Sequence, residues 1–145
     1  LTILQRKSYI KRLRNRKAEA HAIADTNEVQ SVTTAAAGEC DVLYIPTDNT
    51  LASVTETVYN VVAPAKVPVI AGEEGICNGC GVATLSISYY DLVYATGEMA
   101  YEILAEGADI TTMDVRYAPN VTKKYNAKIC EELGITVPDD YVAIQ

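Results

Sequence analysis

The sequence predicts an α/β domain: a three-layer, doubly wound, mostly parallel sheet with helices on both faces. Three observations carry that prediction. Short apolar runs of strand length alternate with longer stretches whose apolar residues recur at helical spacing, the pattern of strand–helix–strand units. Glycine and proline punctuate the boundaries between them. At one boundary, four hydrogen-bonding side chains (Thr47, Asp48, Asn49 and Thr50) crowd between an apolar run and the next helical pattern. Ligands of open α/β sheets sit at that kind of junction, outside the carboxyl end of a strand and against the first turn of a helix.

Each element follows from its residues. Ala18–Ala24 is a short strand-like run. A helix opens at Thr26-Asn27-Glu28, with Thr26 or Asn27 as cap, runs to about Ala37 and stops at Gly38. Val42–Ile45 is a short apolar run ended by Pro46, the pattern of a buried parallel strand. Ala52–Val62 places Val54, Val58, Val61 and Val62 at core-face spacing, and Pro64 is expected to break that helix. Val67–Ala71 is the next strand, followed by a glycine-rich loop through Gly81 and the strand Val82–Ser86. Asp91–Glu106 is the clearest helix, with Leu92, Ala95, Met99, Ile103 and Leu104 on one stripe and Gly107 at its end. Met113–Tyr117 reads as a strand, and Val121–Leu133 as a last helix stopped by Gly134.

Composition narrows the class. The length suits one domain with a usable core, and 49% of the residues are hydrophobic, as in ordinary globular proteins. No run is long and apolar enough to cross a membrane. Without a signal peptide or an initiating Met, the chain reads as cut from a longer one. Charge is uneven: Arg6, Lys7, Lys11, Arg12, Arg14, Arg16 and Lys17 hold most of the basic charge, with no acid among them. Residues 1–17 are therefore read as a basic arm, and residues 18–145 as a single lobe without an internal linker. The stretch Ile10–Lys17 lacks interleaved aromatics, the body is acidic, and nucleic acid is not an expected partner.

The four cysteines are Cys40, Cys77, Cys80 and Cys130. Cys77-Asn78-Gly79-Cys80 is a CxxC inside the glycine-rich loop, but the second ligand pair of a zinc knuckle is absent. A thioredoxin-type motif opens a helix after a strand, whereas this one is read in a loop leading into a strand. His21, the one histidine, stands alone in sequence and reads as a structural residue rather than a ligand. Neither a metal nor a cofactor is expected.

The motifs carry a resemblance. Tyr44-Ile45-Pro46-Thr47-Asp48-Asn49-Thr50, Lys66–Gly72, Ala83–Leu92, Ala95–Ala100 and Glu132–Pro138 together resemble the ABC transporter substrate-binding protein family, over roughly Asp25 to Pro138. The resemblance implies one lobe, mostly the C-terminal one, of a type I periplasmic-binding-protein fold. It implies an exported protein, cell-surface lipoprotein or periplasmic, that binds a small molecule between two lobes and delivers it to ABC permease subunits. Proteins of this kind are associated with amino acids, aromatic ones included. In many similar proteins an Asp stands where Ser88 stands here, which removes a charge suited to a ligand ammonium.

The same site emerges from the residues themselves. In a doubly wound lobe the loops after successive strands line one edge. Here these loops hold Thr47, Asp48, Asn49 and Thr50, then Glu73 and Glu74, then Ser88, Tyr89 and Tyr90. Carboxylates can hold an ammonium, helix N–H groups a carboxylate, and tyrosine rings an apolar or aromatic side chain, so the set suits a small zwitterion. The plainer alternatives are that Asp48, Asn49 and Asp91 only cap helices, and that Glu73 and Glu74 are solvated loop charges on opposite sides of an extended segment.

Catalysis has little support: there is no G-x-S-x-G elbow, P-loop or G-x-G-x-x-G, and the single His lies far from every Ser and Cys in this reading. Two other readings stand beside solute binding. One is an effector-binding domain of a transcription regulator, with the basic arm as the remnant of a DNA-binding linker. The other is a redox protein using Cys77 and Cys80. A homodimer of the isolated lobe through its cleft face is also an expectation.

Overall fold

The structure, a computed structural model, describes residues 19–144. The basic arm lies outside them. The architecture is a five-stranded sheet in the order β1-β2-β3-β4-β5 with helices between the strands. In chain order the elements are α1 (Val29–Glu39), β1 (Leu43–Ile45), α2 (Asn49–Ala52), α3 (Thr55–Ala65), β2 (Val69–Ala71), α4 (Glu74–Cys80), β3 (Ala83–Ile87), α5 (Tyr89–Leu104), β4 (Val121–Tyr125), α6 (Ala127–Leu133) and β5 (Val142–Ala143). β1, β2 and β3 run parallel, β4 pairs antiparallel to β3, and β5 runs parallel to β4. The mostly parallel α/β sheet is the one the alternation predicts.

Register fixes the core. Ile45 lies opposite Ala71, and Ala71 opposite Thr84, so these residues share one face of the sheet. On that face Val29 of α1, Val58 and Val62 of α3, and Ile76, Cys77 and Cys80 of α4 pack with Ile45, Val69 and Ala71 into one buried cluster. α4 approaches α3 closely because position 79 is glycine: a Cβ there would lie 2.2 Å from Thr55 Oγ1. A second cluster of Val82, Ile129 and Cys130 seats α6, with Tyr125, Leu133 and Val137 against it. The alternate strand positions are more open. Tyr44, expected in a buried run, is 67% exposed, and Ile70, Leu85 and Ile87 are exposed too.

Several boundaries differ from the sequence reading, each for a local reason. Residues 19–24 form no strand, because among the described residues they join no ladder of the sheet. α1 begins at Val29, behind a turn in which Asp25 Oδ1 accepts from Asn27 N, so neither Thr26 nor Asn27 caps it; it also runs through Gly38. Pro64 does not break α3. It sits in the last turn, and Lys66 ends the helix in the left-handed region at φ 54°. The glycine-rich stretch after β2 is the helix α4, nucleated by a capping carboxylate that outweighs the low helix propensity of Gly75 and Gly79.

The C-terminal third differs most. Residues 113–117 pair with no strand, and Val115 and Tyr117 are exposed. The strand is instead Val121–Tyr125, the stretch read as the start of the last helix. Its β-branched Val121 and Thr122 suit a ladder position. The helix starts only after Asn126, whose Oδ1 accepts from Ile129 N at 3.2 Å. Gly134 stops α6 as expected, at φ 67°.

Candidate functional site

Three adjacent parallel strands deliver three loops to one edge. β1 ends at Ile45, β2 at Ala71 and β3 at Ile87, and each is followed within a few residues by a helix N-terminus. The first two loops are locked together. Gly72 N donates to Ile45 O at 2.7 Å, and Thr47 Oγ1 donates to Gly72 O at 3.2 Å. A Cβ on Gly72 would stand 2.5 Å from Thr47 N, so only glycine lets the two backbones meet this closely.

Each loop supplies its own helix cap. Asp48 Oδ1 accepts from Leu51 N at 3.0 Å, at the start of α2. The Glu73 carboxylate accepts from Gly75 N at 2.7 Å and also from Ile76 N, at the start of α4. Ser88 Oγ accepts from Asp91 N at 3.1 Å, at the start of α5. Asn49 and Tyr89 are the first helical residues of α2 and α5, and Asp91 lies in the first turn of α5. Glu73 and Glu74 do not flank an extended loop: one is the cap and the other the first residue of a helix.

Glu74 has a partner the sequence reading did not identify. Its Oε2 accepts from Lys124 Nζ at 2.7 Å and from Ser86 Oγ at 2.9 Å, so β4, β3 and α4 meet at one carboxylate oxygen. The hydrogen bond from Lys124 holds the Glu74 carboxyl below its ordinary range, against the opposing pull of partial burial, with Ser86 adding to the lowering. A helical reading of residues 121–133 hides Lys124. The signal that identifies it is the β-branched pair Val121-Thr122 just before it.

The remaining predicted residues lie open at the same edge. Thr47, Asp48 and Asn49 are exposed and Thr50 is half-buried. Tyr89 and Tyr90 are exposed, and the Tyr90 ring stacks on Tyr94 with centroids 6.5 Å apart and planes 24° from parallel. Asp91 Oδ2 accepts from Asn120 Nδ2 at 3.2 Å. The edge therefore combines helix N-termini, which attract a negative group, with several carboxylates that the one lysine, Lys124, only partly neutralises and that attract a positive one. That is the electrostatic complement of a zwitterion, with aromatic faces beside it.

The CxxC is not at this edge. Cys77 and Cys80 lie inside α4 rather than in a loop, and both are buried in the core. They and Cys40 and Cys130 are free thiols. Burial pushes the Cys77 and Cys80 thiols up to about 12 and raises Cys130 as well. A thiol held that high carries almost no thiolate at neutral pH, and thiolate is what redox exchange needs.

Known proteins point to a family. A family described as ABC transporter substrate binding protein matches residues 5–144, so the match reaches into the basic segment that the sequence reading set apart. A tyrosine-binding protein of Clostridioides difficile (strain R20291) is 38% identical over 97 residues, which is 63% of this chain and 28% of that protein. A ligand-free, open substrate-binding protein with adhesive properties from Clostridium difficile superposes with a TM-score of 0.75 at 33% identity, over 99% of this chain and 49% of that one. An ABC domain from Streptococcus pneumonia in complex with L-Trp superposes with a TM-score of 0.80 at 28% identity, over 99% of this chain and 50% of that one. The chain thus spans about half the length of the solved structures it matches.

Proposed function

The chain belongs to the ABC transporter substrate-binding protein family, and from that premise we propose that its three-loop edge is one wall of a ligand cleft for an amino acid with an aromatic side chain. The observation that carries the reading is the convergence of three capped helix N-termini on one sheet edge, with Glu74 and the exposed Tyr89 and Tyr90 among them. The tyrosine named for one relative and the L-Trp bound by another support the ligand class.

In this reading Thr47, Asn49, Thr50, Tyr89 and Tyr90 face the ligand. Asp48 and Ser88 each use one side-chain oxygen on a helix cap and Glu73 uses both of its own, and the three orient the loops around the ligand. Glu74, pinned by Lys124 and Ser86, is the fixed negative charge near which the ligand ammonium settles, with Ser88 too short and uncharged for that role. The second wall comes from the other lobe of a longer protein. Ligand closes the lobes because it makes contacts in the closed form that the open form lacks. The protein works outside the cytoplasm and hands its ligand to permease subunits. No bond is made or broken, and the buried thiols take no part.

An amide chemical-shift titration of the chain with tyrosine, tryptophan and a panel of other amino acids tests this. Shifts confined to residues 47–50, 72–75 and 88–90, largest for the aromatic pair, are the expected outcome. Shifts that cluster elsewhere, for example in the roughly 380 Å³ hollow lined by Glu102, Asp109 and Arg116, would sink it.

A further inference from the structure

The histidine that stands alone in sequence does not stand alone in the fold. Glu19 and His21 lie on the segment before α1, and Glu39 is the last residue of α1. The fold brings one donor atom from each of the three side chains within 4.8 Å of the other two. Both glutamates are exposed, and His21 is half-buried. His21 Nε2 is nevertheless sheltered from solvent and has no hydrogen-bond partner among the described residues. A buried polar atom left without a partner carries a desolvation penalty and calls for an explanation.

We propose that Glu19, His21 and Glu39 form a binding site for a divalent transition-metal ion, with zinc as the representative ion. One imidazole nitrogen and two carboxylate oxygens form a donor set that borderline ions accept, whereas calcium and magnesium favour all-oxygen sites. Bonds of about 2.0–2.1 Å in a tetrahedral site put ligand atoms roughly 3.3 Å apart, so a contraction of about 1.5 Å at most is needed. Glu39 can supply it by rotation and Glu19 by exchanging its present contact for the ion, around a histidine that stays in place. Position helps as well. Glu39 sits where the carbonyl end of α1 carries partial negative charge, and no basic residue occupies that last turn to cancel it. The bound ion would fasten the segment of residues 19–24, which lies outside the five-stranded sheet, to the end of α1. The end of α1 leads into the amino end of β1, whereas the ligand edge lies beyond its carboxyl end, and the site does not depend on the function proposed for that edge.

Zinc titration calorimetry on the full chain, after chelator treatment, tests the site against His21→Ala, Glu39→Gln and Cys40→Ser. Cys40 is the half-buried thiol next to Glu39 and the obvious competitor. The expected result is one zinc per chain. Affinity should drop by at least about tenfold in His21→Ala and Glu39→Gln, since even outer-shell losses weaken metal sites on that scale. Cys40→Ser should bind like the parent. Zinc should also raise the melting temperature of the parent and of Cys40→Ser but not of His21→Ala. Absence of saturable binding, equal binding by His21→Ala, or loss of binding in Cys40→Ser alone would overturn the proposal.

Discussion

The helices α4 and α5 begin alike and end up in different circumstances. Each follows a parallel strand, and each is capped by a side chain from the loop before it, Glu73 for α4 and Ser88 for α5. α4 has only seven residues, two of them glycine, yet it buries Ile76, Cys77 and Cys80 almost completely. α5 has sixteen residues and a clear apolar stripe, yet it buries none. Leu92, Ala95, Met99 and Ile103 are half-buried, while Leu104, Val93 and Tyr101 are exposed. A helix of poor intrinsic propensity is therefore set firmly by tertiary contacts, while a helix of good propensity stands largely on its own hydrogen bonds. An apolar stripe shows that a helix has a side to bury, and says nothing of what covers it.

The largest effect should separate the two helices directly. Ile76→Ala opens a cavity in the main core and should cost about 2–5 kcal/mol. Val93→Ala on α5 removes an exposed side chain and should stay within about 0.5 kcal/mol. Urea denaturation of both variants measures the difference. Similar losses in the two would mean that α5 is as tightly packed as α4, and the contrast would fall.

Two glycines sharpen the comparison with opposite signs. Gly72→Ala pushes a methyl group into the backbone of Thr47 and Pro46 and forces the first two loops apart. Overpacking of that kind costs roughly 1–3 kcal/mol, and in the proposed function it should also weaken amino-acid binding. Gly97 lies in the middle of α5, and a Cβ added there would meet nothing within 4 Å, so Gly97→Ala should stabilise by about 0.5–1 kcal/mol through backbone entropy. Melting curves of the two variants, with ligand titrations for the first, give both signs. Destabilisation by Gly97→Ala would show that α5 is held against a surface after all.

These contrasts mark what the sequence makes legible. The short strands β1, β2 and β3 and the long α5 follow from apolar runs and helical spacing, which are local signals. The polar residues after β1, β2 and β3 do arrive at one edge, because parallel strands in neighbouring positions leave no other place for their loops. α4 escapes a local reading because its glycines argue against a helix, and its stability comes from Glu73 at one end and the core along one side. β4 escapes it because a polar, lysine-rich stretch leads straight into α6, so that the β-branched Val121-Thr122 is its one local signal and the pairing with β3 fixes the strand. The Glu74–Lys124 contact spans fifty residues of sequence, and no spacing rule reaches that far.

That contact yields the smallest effect and the last test of the comparison. It ties the first residue of α4 to β4, whereas the Asp91 carboxylate in the first turn of α5 is tied to Asn120 in a loop. Glu74 is more acidic in the folded chain than its ordinary value of 4.5, so the folded state binds fewer protons there than the unfolded state. Its contribution is therefore present at neutral pH and fades as pH falls below about 4.5 and through the lowered folded value. Both partners are partly solvated, with side-chain exposures of 27% for Lys124 and 39% for Glu74, so the whole effect should be under about 1 kcal/mol. Lys124→Met should lower stability at pH 7 by that amount and lose its disadvantage in acid, while carbon-detected titration shows the Glu74 carboxyl moving back up. Asn120→Ala should change stability by less than about 0.5 kcal/mol. A pH-independent Lys124→Met deficit would assign the contribution of Lys124 to packing of its hydrocarbon stem on β4, and α4 would then owe its anchoring to burial alone.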